Sequence, residues 1–115
     1  MPQVSHKVYK LELLLTDTQK ISIEKEAQIL CVQVQMDTQI LGTSPSTSES
    51  EYKNGKIFIW YECDPSRAME EKEIWIRGTG QTIDYDSDVK APCYIGTVQL
   101  QGGSMIFHVF EVLYK

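Results

Sequence analysis

Alternation of apolar and polar side chains, with a period of two residues, recurs in short runs along this chain of 115 residues. In residues 30–36, Leu30, two valines and a methionine share one parity, and two glutamines share the other. This period is that of a β-strand with one face buried. Similar alternation, or a high content of β-branched and aromatic residues, predicts further strands at 8–15, 21–23, 56–63, 73–77, 94–101 and 104–114. Six or seven short, mostly antiparallel strands indicate an all-β domain, either a small sandwich or an open barrel.

Turn-forming residues separate the predicted strands. Residues 16–20 carry side chains that hydrogen-bond their own backbone, and they predict a hairpin made of the first two strands. The glycine pair at 102–103 predicts a second hairpin at the end of the chain. Asp64 before a proline is a helix N-cap signal, so at most one short helix is expected, near 65–72.

Composition limits the size and the partners of the domain. Acidic residues outnumber basic ones by 16 to 11, which gives a formal net charge of −5 and no excess of cations for sequence-independent coating of nucleic acid. Hydrophobic residues make up 42% of the chain, which predicts a single β domain over 1–115. The Ser/Thr-rich composition of residues 42–54 predicts a flexible loop within it. No apolar run reaches the roughly 20 residues that span a bilayer, and no signal peptide is recognisable, so a cytoplasmic protein without membrane contact is expected.

Chemically reactive side chains are few. The three cysteines and His108 show no CxxC or HxxxH spacing, so the sequence predicts neither a metal site nor a disulfide framework. Asp84, Asp86 and Asp88 begin like a calcium loop, but the glycine and the bidentate glutamate of its later positions are missing. With only two histidines in the chain, no hydrolytic triad is predicted. We therefore expect no catalytic residue, no metal and no cofactor.

A binding site is better supported. Trp60 and Trp75 lie near the only two arginines, Arg67 and Arg77, along the chain. Core packing is the usual role of a tryptophan, but aromatic rings also stack on bases and arginine pairs with phosphate, which predicts a nucleotide-sized pocket. The Gly-Thr-Gly turn after Arg77 offers backbone N–H groups to an anion. The candidate ligand-binding residues are Trp60, Arg67, Trp75, Arg77, Gly78, Thr79, Gly80, Gln81 and His108.

Two of the predicted strands, 57–61 and 105–113, are apolar on both parities. One face of each belongs to the domain core. The second face requires a cover, because large exposed apolar patches are rare on soluble monomers. A loop, a short helix or another subunit would serve, and a homo-oligomer is expected.

Five segments of the sequence carry a family resemblance. They are VYK at 8–10, AQILCVQVQ at 27–35, IRGTG at 76–80, YIGTVQ at 94–99 and FHVFE at 107–111. Together they resemble a family of small uncharacterised proteins found in bacteriophages and prophages, over most of the chain. In that family His-Pro commonly follows the Gly-Thr-Gly turn, whereas this sequence has Gln81 and Thr82. The resemblance implies a viral origin and a compact β domain.

A small acidic phage protein without a catalytic set can act by occupying something that belongs to the host. The leading hypothesis is a non-enzymatic protein in the host cytoplasm that counters bacterial defence. It would sequester a nucleotide immune signal, or cover a defence protein with an acidic face that includes Asp84, Asp86 and Asp88. The alternatives are a hydrolase of such a nucleotide, with His108 and an acid such as Glu111 or Glu62, and a structural component of the virion.

Overall fold

In the part of the chain that the structure describes, seven antiparallel strands form a β-sandwich. The computed structural model describes residues 5–35, 55–100 and 103–115. The strands are β1 (Lys7–Leu13), β2 (Thr18–Glu24), β3 (Gln28–Gln35), β4 (Lys56–Cys63), β5 (Met69–Gly78), β6 (Val89–Leu100) and β7 (Met105–Tyr114). A three-stranded sheet has the order β1-β4-β3, and a four-stranded sheet has the order β2-β5-β7-β6. The all-β prediction is confirmed, with a sandwich rather than a closed barrel. The predicted loop at 42–54 lies outside the described residues.

The core lies between the two sheets. β4 is the centre of the three-stranded sheet, as its apolar character predicts, and alternate side chains from Ile57 to Cys63 point inward. Ile74 and Val109 meet them from β5 and β7 of the opposite sheet, and both are completely buried. Full burial of one such side chain contributes about 1.5–3 kcal/mol, so the core accounts for the main favourable term in folding.

The predicted hairpin of the first two strands is wrong. β1 pairs with β4, whereas β2 pairs with β5, so the chain crosses from one sheet to the other between them. The side chain of Gln19 accepts a hydrogen bond from the Leu14 backbone N–H at 3.0 Å and donates one to the Leu14 carbonyl at 2.6 Å. Those backbone groups are therefore satisfied without pairing to a neighbouring strand. Leu13 and Ile21 become buried in one core from opposite sheets.

No helix occurs among the described residues, and the segment near 65–72 begins as a turn. The Arg67 N–H donates to the Asp64 carbonyl at 3.0 Å, and the Ser66 N–H donates to Asp64 Oδ1, also at 3.0 Å. The residues after the turn, which are good helix formers, extend β5 from Met69 because β2 offers them strand partners. Tertiary pairing here overrides local helix propensity.

Bulges shift the register in two strands. In β3 the shift falls between Ile29 and Cys31, so Leu30 is 47% exposed instead of facing the core, and Ile29 packs inward in its place. In β6 a shift falls between Tyr94 and Gly96. A Cβ atom on Gly96 would lie 2.7 Å from Val32 Cγ1 of the opposite sheet. Glycine therefore permits the close approach of β6 to β3.

The second apolar face of the four-stranded sheet is covered by a loop. Trp75, Val89 and Val112 form a small buried cluster there, separate from the main core. Ile83, from the loop that joins β5 to β6, packs against this cluster together with Phe110. A loop is thus the covering element for this part of the sheet, and a homo-oligomer remains a prediction.

One carboxylate is buried at an end of the sandwich. Glu24 is only 7% exposed, and its Oε1 atom has no hydrogen-bond partner within the described part of the chain. Tyr61 and Cys63 lie beside it. Burial raises the pKa of both side chains, and the negative charge of Glu24 raises it further. The Cys63 thiol is therefore held in its protonated, unreactive form.

We expect Gly96→Ala to lower the free energy of unfolding by about 1–3 kcal/mol, because the added methyl group overpacks Val32. Chemical denaturation measures the change. Gly78→Ala is the matched control, since a Cβ atom there meets nothing nearer than 3.8 Å. Equal stability of the two variants would contradict the close approach of β6 and β3.

We expect Cys31 and Cys93, which are half-exposed, to react with iodoacetamide in the native protein, and Cys63 to react only after unfolding. Glu24→Gln removes the nearby negative charge, so it lowers the pKa of Cys63 towards its ordinary value while burial keeps it raised. Mass spectrometry of labelled peptides follows each thiol. Labelling of all three cysteines at one rate in the folded protein would show the prediction to be wrong.

Candidate functional site

The candidate site lies on the outer face of the four-stranded sheet, the side away from the core. Along β5 this face presents Trp75 and Arg77, whose parity is opposite to that of the inward-facing Ile74 and Ile76. β7 contributes His108 and Phe110, and the edge strand β6 contributes side chains at its middle. The face therefore draws on three neighbouring strands of one rigid sheet.

Strand register arranges these side chains in two adjacent rows. In the aromatic row, Trp75 lies opposite Phe110, and Phe110 lies opposite Tyr94. The rings of Tyr94 and Phe110 meet edge to face with their centroids 5.9 Å apart. The polar row follows two residues further along β5, where Arg77 lies opposite His108 and His108 lies opposite Thr97. Flat apolar surface and polar hydrogen-bonding groups are thus placed side by side.

His108 is held by hydroxyl groups at both ring nitrogens. Its Nε2 atom is 2.8 Å from Thr79 Oγ1, and its Nδ1 atom is 3.0 Å from Thr97 Oγ1. Thr97 Oγ1 is in turn 2.5 Å from the Tyr94 hydroxyl. A neutral imidazole donates from one nitrogen and accepts at the other, so the direction of every hydrogen bond in this chain depends on the tautomer of His108.

The bulge in β6 makes this chain of hydrogen bonds possible. In a regular strand Tyr94 and Thr97 point to opposite faces, because they are three residues apart. The register shift between Tyr94 and Gly96 turns both towards His108 and Phe110. Bulges often redirect side chains in this way beside functional sites.

Arg77 is a half-buried cation that pairs with no carboxylate in the part of the chain that the structure describes. Its guanidinium lies 4.9 Å from the centroid of the Trp75 ring. Nη1 donates to the backbone carbonyls of Asp17 and Ile76, the latter at 3.2 Å. Within the described ranges it makes no ion pair, in contrast to Arg67. The guanidinium is therefore fixed in place while its positive charge stays available to an anion.

The turn that ends β5 uses its polar groups internally. The Gln81 N–H donates to the Gly78 carbonyl at 3.0 Å, and the Gly78 N–H donates to Gln81 Oε1 at 2.9 Å. Gly80 has a φ of 86°, a conformation that favours glycine. Of the three backbone amides that the sequence suggests for an anion, that of Gly78 is thus occupied, and Thr79 is the turn residue that faces His108.

The structure brings most of the predicted site residues together, namely Trp75, Arg77, Gly78, Thr79, Gly80, Gln81 and His108. It places two elsewhere. Trp60 lies on the solvent side of the three-stranded sheet, where its ring centroid is 6.2 Å from that of Phe58. Arg67 lies in the turn before β5 and pairs with Glu26 at 3.5 Å and with Asp64 at 3.9 Å.

The sequence analysis does not identify three residues of the site: Tyr94, Thr97 and Phe110. Phe110 is two residues from His108 on a strand, so its parity alone could have placed it on the same face. Nothing in the sequence marks the bulge that turns Tyr94 and Thr97 to that side.

An acidic recess borders the aromatic row at the end away from Arg77. It is lined by Asp84, Asp86, Asp88, Trp75, Tyr85, Val89 and Tyr114. Glu73 accepts hydrogen bonds from the Trp75 indole N–H and from the Tyr114 hydroxyl, each at 2.6 Å. The hydrogen bond to Glu73 raises the pKa of Tyr114, as do burial and the charges of Glu73, Asp86 and Asp88. Lys20 of β2 lies opposite Glu73, but the carboxylates outnumber this cation, so the end of the face has an excess of negative charge.

Metal ligation has no support in the described part of the chain, where no group of three or more Cys, His, Asp or Glu side chains is arranged around a common point. The same residues contain no helix long and apolar enough to cross a membrane.

The geometry suits binding better than bond cleavage. Thr79 and His108 are at the distance of a hydroxyl and a general base, but the group at Nδ1 is a threonine hydroxyl and not a carboxylate that would stabilise an imidazolium. Glu111 pairs with Lys72 at 3.1 Å, and Glu62 pairs with His6 at 3.4 Å, so both acids suggested for hydrolysis have other partners.

We expect Thr97→Val to change the tautomer balance of His108, because it removes the hydroxyl at Nδ1 and leaves the one at Nε2. The nitrogen chemical shifts of the imidazole report that balance. Thr82→Val, in the exposed loop after the turn, is the control and leaves the shifts unchanged. Identical imidazole spectra for both variants would rule out the proposed hydrogen bond between Thr97 and His108.

Comparison with known proteins places the chain in a family. Neither the curated proteins nor the solved structures gave a significant match. One family model, that of a domain of unknown function, matches residues 4–114. The resemblance to an uncharacterised family is thereby confirmed. Since the match covers nearly the whole chain, this protein belongs to the DUF7352 family of domains of unknown function.

Proposed function

We propose that this protein is a non-enzymatic binding protein of a bacteriophage, which counters bacterial antiviral defence by sequestering a nucleotide signal on the outer face. The observation that carries the proposal is the pairing of two rows on one rigid surface. One row offers aromatic rings, and the other offers Arg77, His108 and threonine hydroxyls. A nucleotide needs both, since it joins a flat base to an anionic phosphate.

The base would stack on exposed aromatic surface. Tyr94 is 61% exposed, and its ring packs edge to face against the ring of Phe110. Stacking of a base on such a ring contributes about 1–3 kcal/mol. Trp75 has another role, because it is only 6% exposed and supports the Arg77 guanidinium. It therefore positions the cation and offers little surface of its own.

The phosphate would bind at the polar row. Arg77 supplies a fixed positive charge, and the Thr79 and Thr97 hydroxyls can each donate or accept. A charge-assisted hydrogen bond contributes about 1.5–3 kcal/mol, so one guanidinium contact changes affinity by a factor of about ten or more. The face is open, and a second copy closing over it would bury the base. The expected homo-oligomer therefore forms part of the proposal.

Sequestration requires affinity and no chemistry, which agrees with His108 being held by hydroxyl groups rather than by a carboxylate. On this proposal, the small protein works in stoichiometric amounts in the host cytoplasm. A second candidate function is supported by the exposed carboxylates of Asp84, Asp86 and Asp88 on one loop. Such a surface would compete for the basic groove of a defence protein that binds nucleic acid.

We expect the purified protein to retain a nucleotide from extracts of infected, defence-active cells, and Arg77→Glu to reduce that retention at least about tenfold by replacing attraction with repulsion. Mass spectrometry of the small molecules released on denaturation measures the retained amount. Arg67→Glu is the matched control, because it makes the same change in the turn outside the site and should keep full retention.

Four outcomes test the candidate functions and the role of Arg77. Recovery of every bound molecule intact supports sequestration, whereas turnover that is lost in His108→Ala establishes a hydrolase. Equal retention by the Arg77 and Arg67 variants removes Arg77 from the site. Suppression of defence that survives Arg77→Glu but is lost when Asp84, Asp86 and Asp88 are all changed to Asn would favour the blocking function.

A further inference from the structure

We infer that the site selects a ligand with a single phosphate group over a polyphosphate, and that it orients the base towards the acidic recess. This inference rests on the proposed function. It follows from the order of charges along the outer face of β5, where Glu73, Trp75 and Arg77 stand at successive outward positions. Each step along the strand is about 6.6 Å, so Glu73 and Arg77 lie about 13 Å apart with the Trp75 indole between them.

The positive end of this axis is small. Arg77 is its cationic group, and the His108 imidazole lies opposite Arg77 in the adjacent strand. Their neighbours Thr79, Thr97 and Gln81 are neutral. One phosphate placed over this pair meets the guanidinium, the imidazole and the threonine hydroxyls together. A second or third phosphate finds no further cation in the polar row.

The negative end is held in position. The carboxylate of Glu73 is fixed by two hydrogen bonds of 2.6 Å, from the Trp75 indole and from the Tyr114 hydroxyl. Asp86 Oδ1 accepts a hydrogen bond from the Asp88 N–H at 3.0 Å, which orders the loop that bears the other acids. The hydrogen bond to Glu73, then burial, and then the charges of Glu73, Asp86 and Asp88 raise the pKa of Tyr114. A phosphate chain that extended along the face from Arg77 would approach like charge.

The same carboxylates suit a base that donates hydrogen bonds. An ionised carboxylate only accepts, so it pairs with exocyclic amino groups such as that of adenine. With the phosphate at Arg77 and the amino group at the recess, a nucleotide would lie along the strands. The acids at the recess repel additional phosphates, and Arg77 attracts one phosphate. Together they define the orientation of the ligand and the number of its phosphates.

Isothermal titration with adenosine monophosphate, inosine monophosphate and adenosine triphosphate tests the inference. We expect the adenosine monophosphate to bind about tenfold more tightly than either of the others, because inosine lacks the amino group and the triphosphate meets the acids. Changing Asp86 and Asp88 together to Asn should remove the discrimination against the triphosphate. Asparagine keeps an acceptor oxygen at position 86, so the loop hydrogen bond can persist.

Asp64→Asn, in the turn before β5, is the control and leaves the order of affinities unchanged. Tighter binding of the triphosphate, with loss of that binding in Arg77→Glu, would overturn the inference while leaving the proposed function intact. Absence of binding by all three nucleotides, to a protein that also retains no nucleotide from cell extracts, would overturn the proposed function itself.

Discussion

Burial of Trp75 on the outer face of β5 is the constraint on which the rest of the structure depends. Ile74 and Ile76 face the three-stranded sheet, while Trp75 between them faces the other way and is nearly as buried. The large apolar side chain of Trp75 needs a cover of its own on the solvent side of the sheet. The second sheet provides one cover, and the loop with Ile83 provides the other. That loop carries Asp84, Asp86 and Asp88, so the need to bury Trp75 also brings acids to the outer face.

The polar row depends on how closely the two sheets approach. Gly96 lets β6 pack against Val32, and the register shift beside it turns Tyr94 and Thr97 to the same side. The distance from Thr97 to His108 therefore depends on a contact on the opposite side of the sheet. This coupling explains why a glycine with no polar function belongs to the structural basis of the site.

The sequence predicts the strands well because each is specified by its own short pattern, and β4 and the hairpin of β6 and β7 follow from it. Pairing is harder to predict. A polar turn is compatible with a hairpin and with a crossover between sheets, and the choice here depends on how Gln19 meets the Leu14 backbone. The candidate site is likewise predictable only in part. Arg77 and His108 are recognisable from residue type, but Trp60 and Arg67 are near them only along the chain, and Thr97 reaches them only through a bulge.

The nature of the groups around His108 is the reason for proposing binding rather than catalysis. A carboxylate at Nδ1 would favour the charged imidazolium that forms when a histidine takes a proton from a nucleophile. A hydroxyl carries no charge and gives no such stabilisation. An anion placed over Arg77 and His108 meets the guanidinium charge and the imidazole together, because the two side chains lie opposite each other in adjacent strands. The arrangement therefore favours holding a phosphate in place over activating a hydroxyl to attack it.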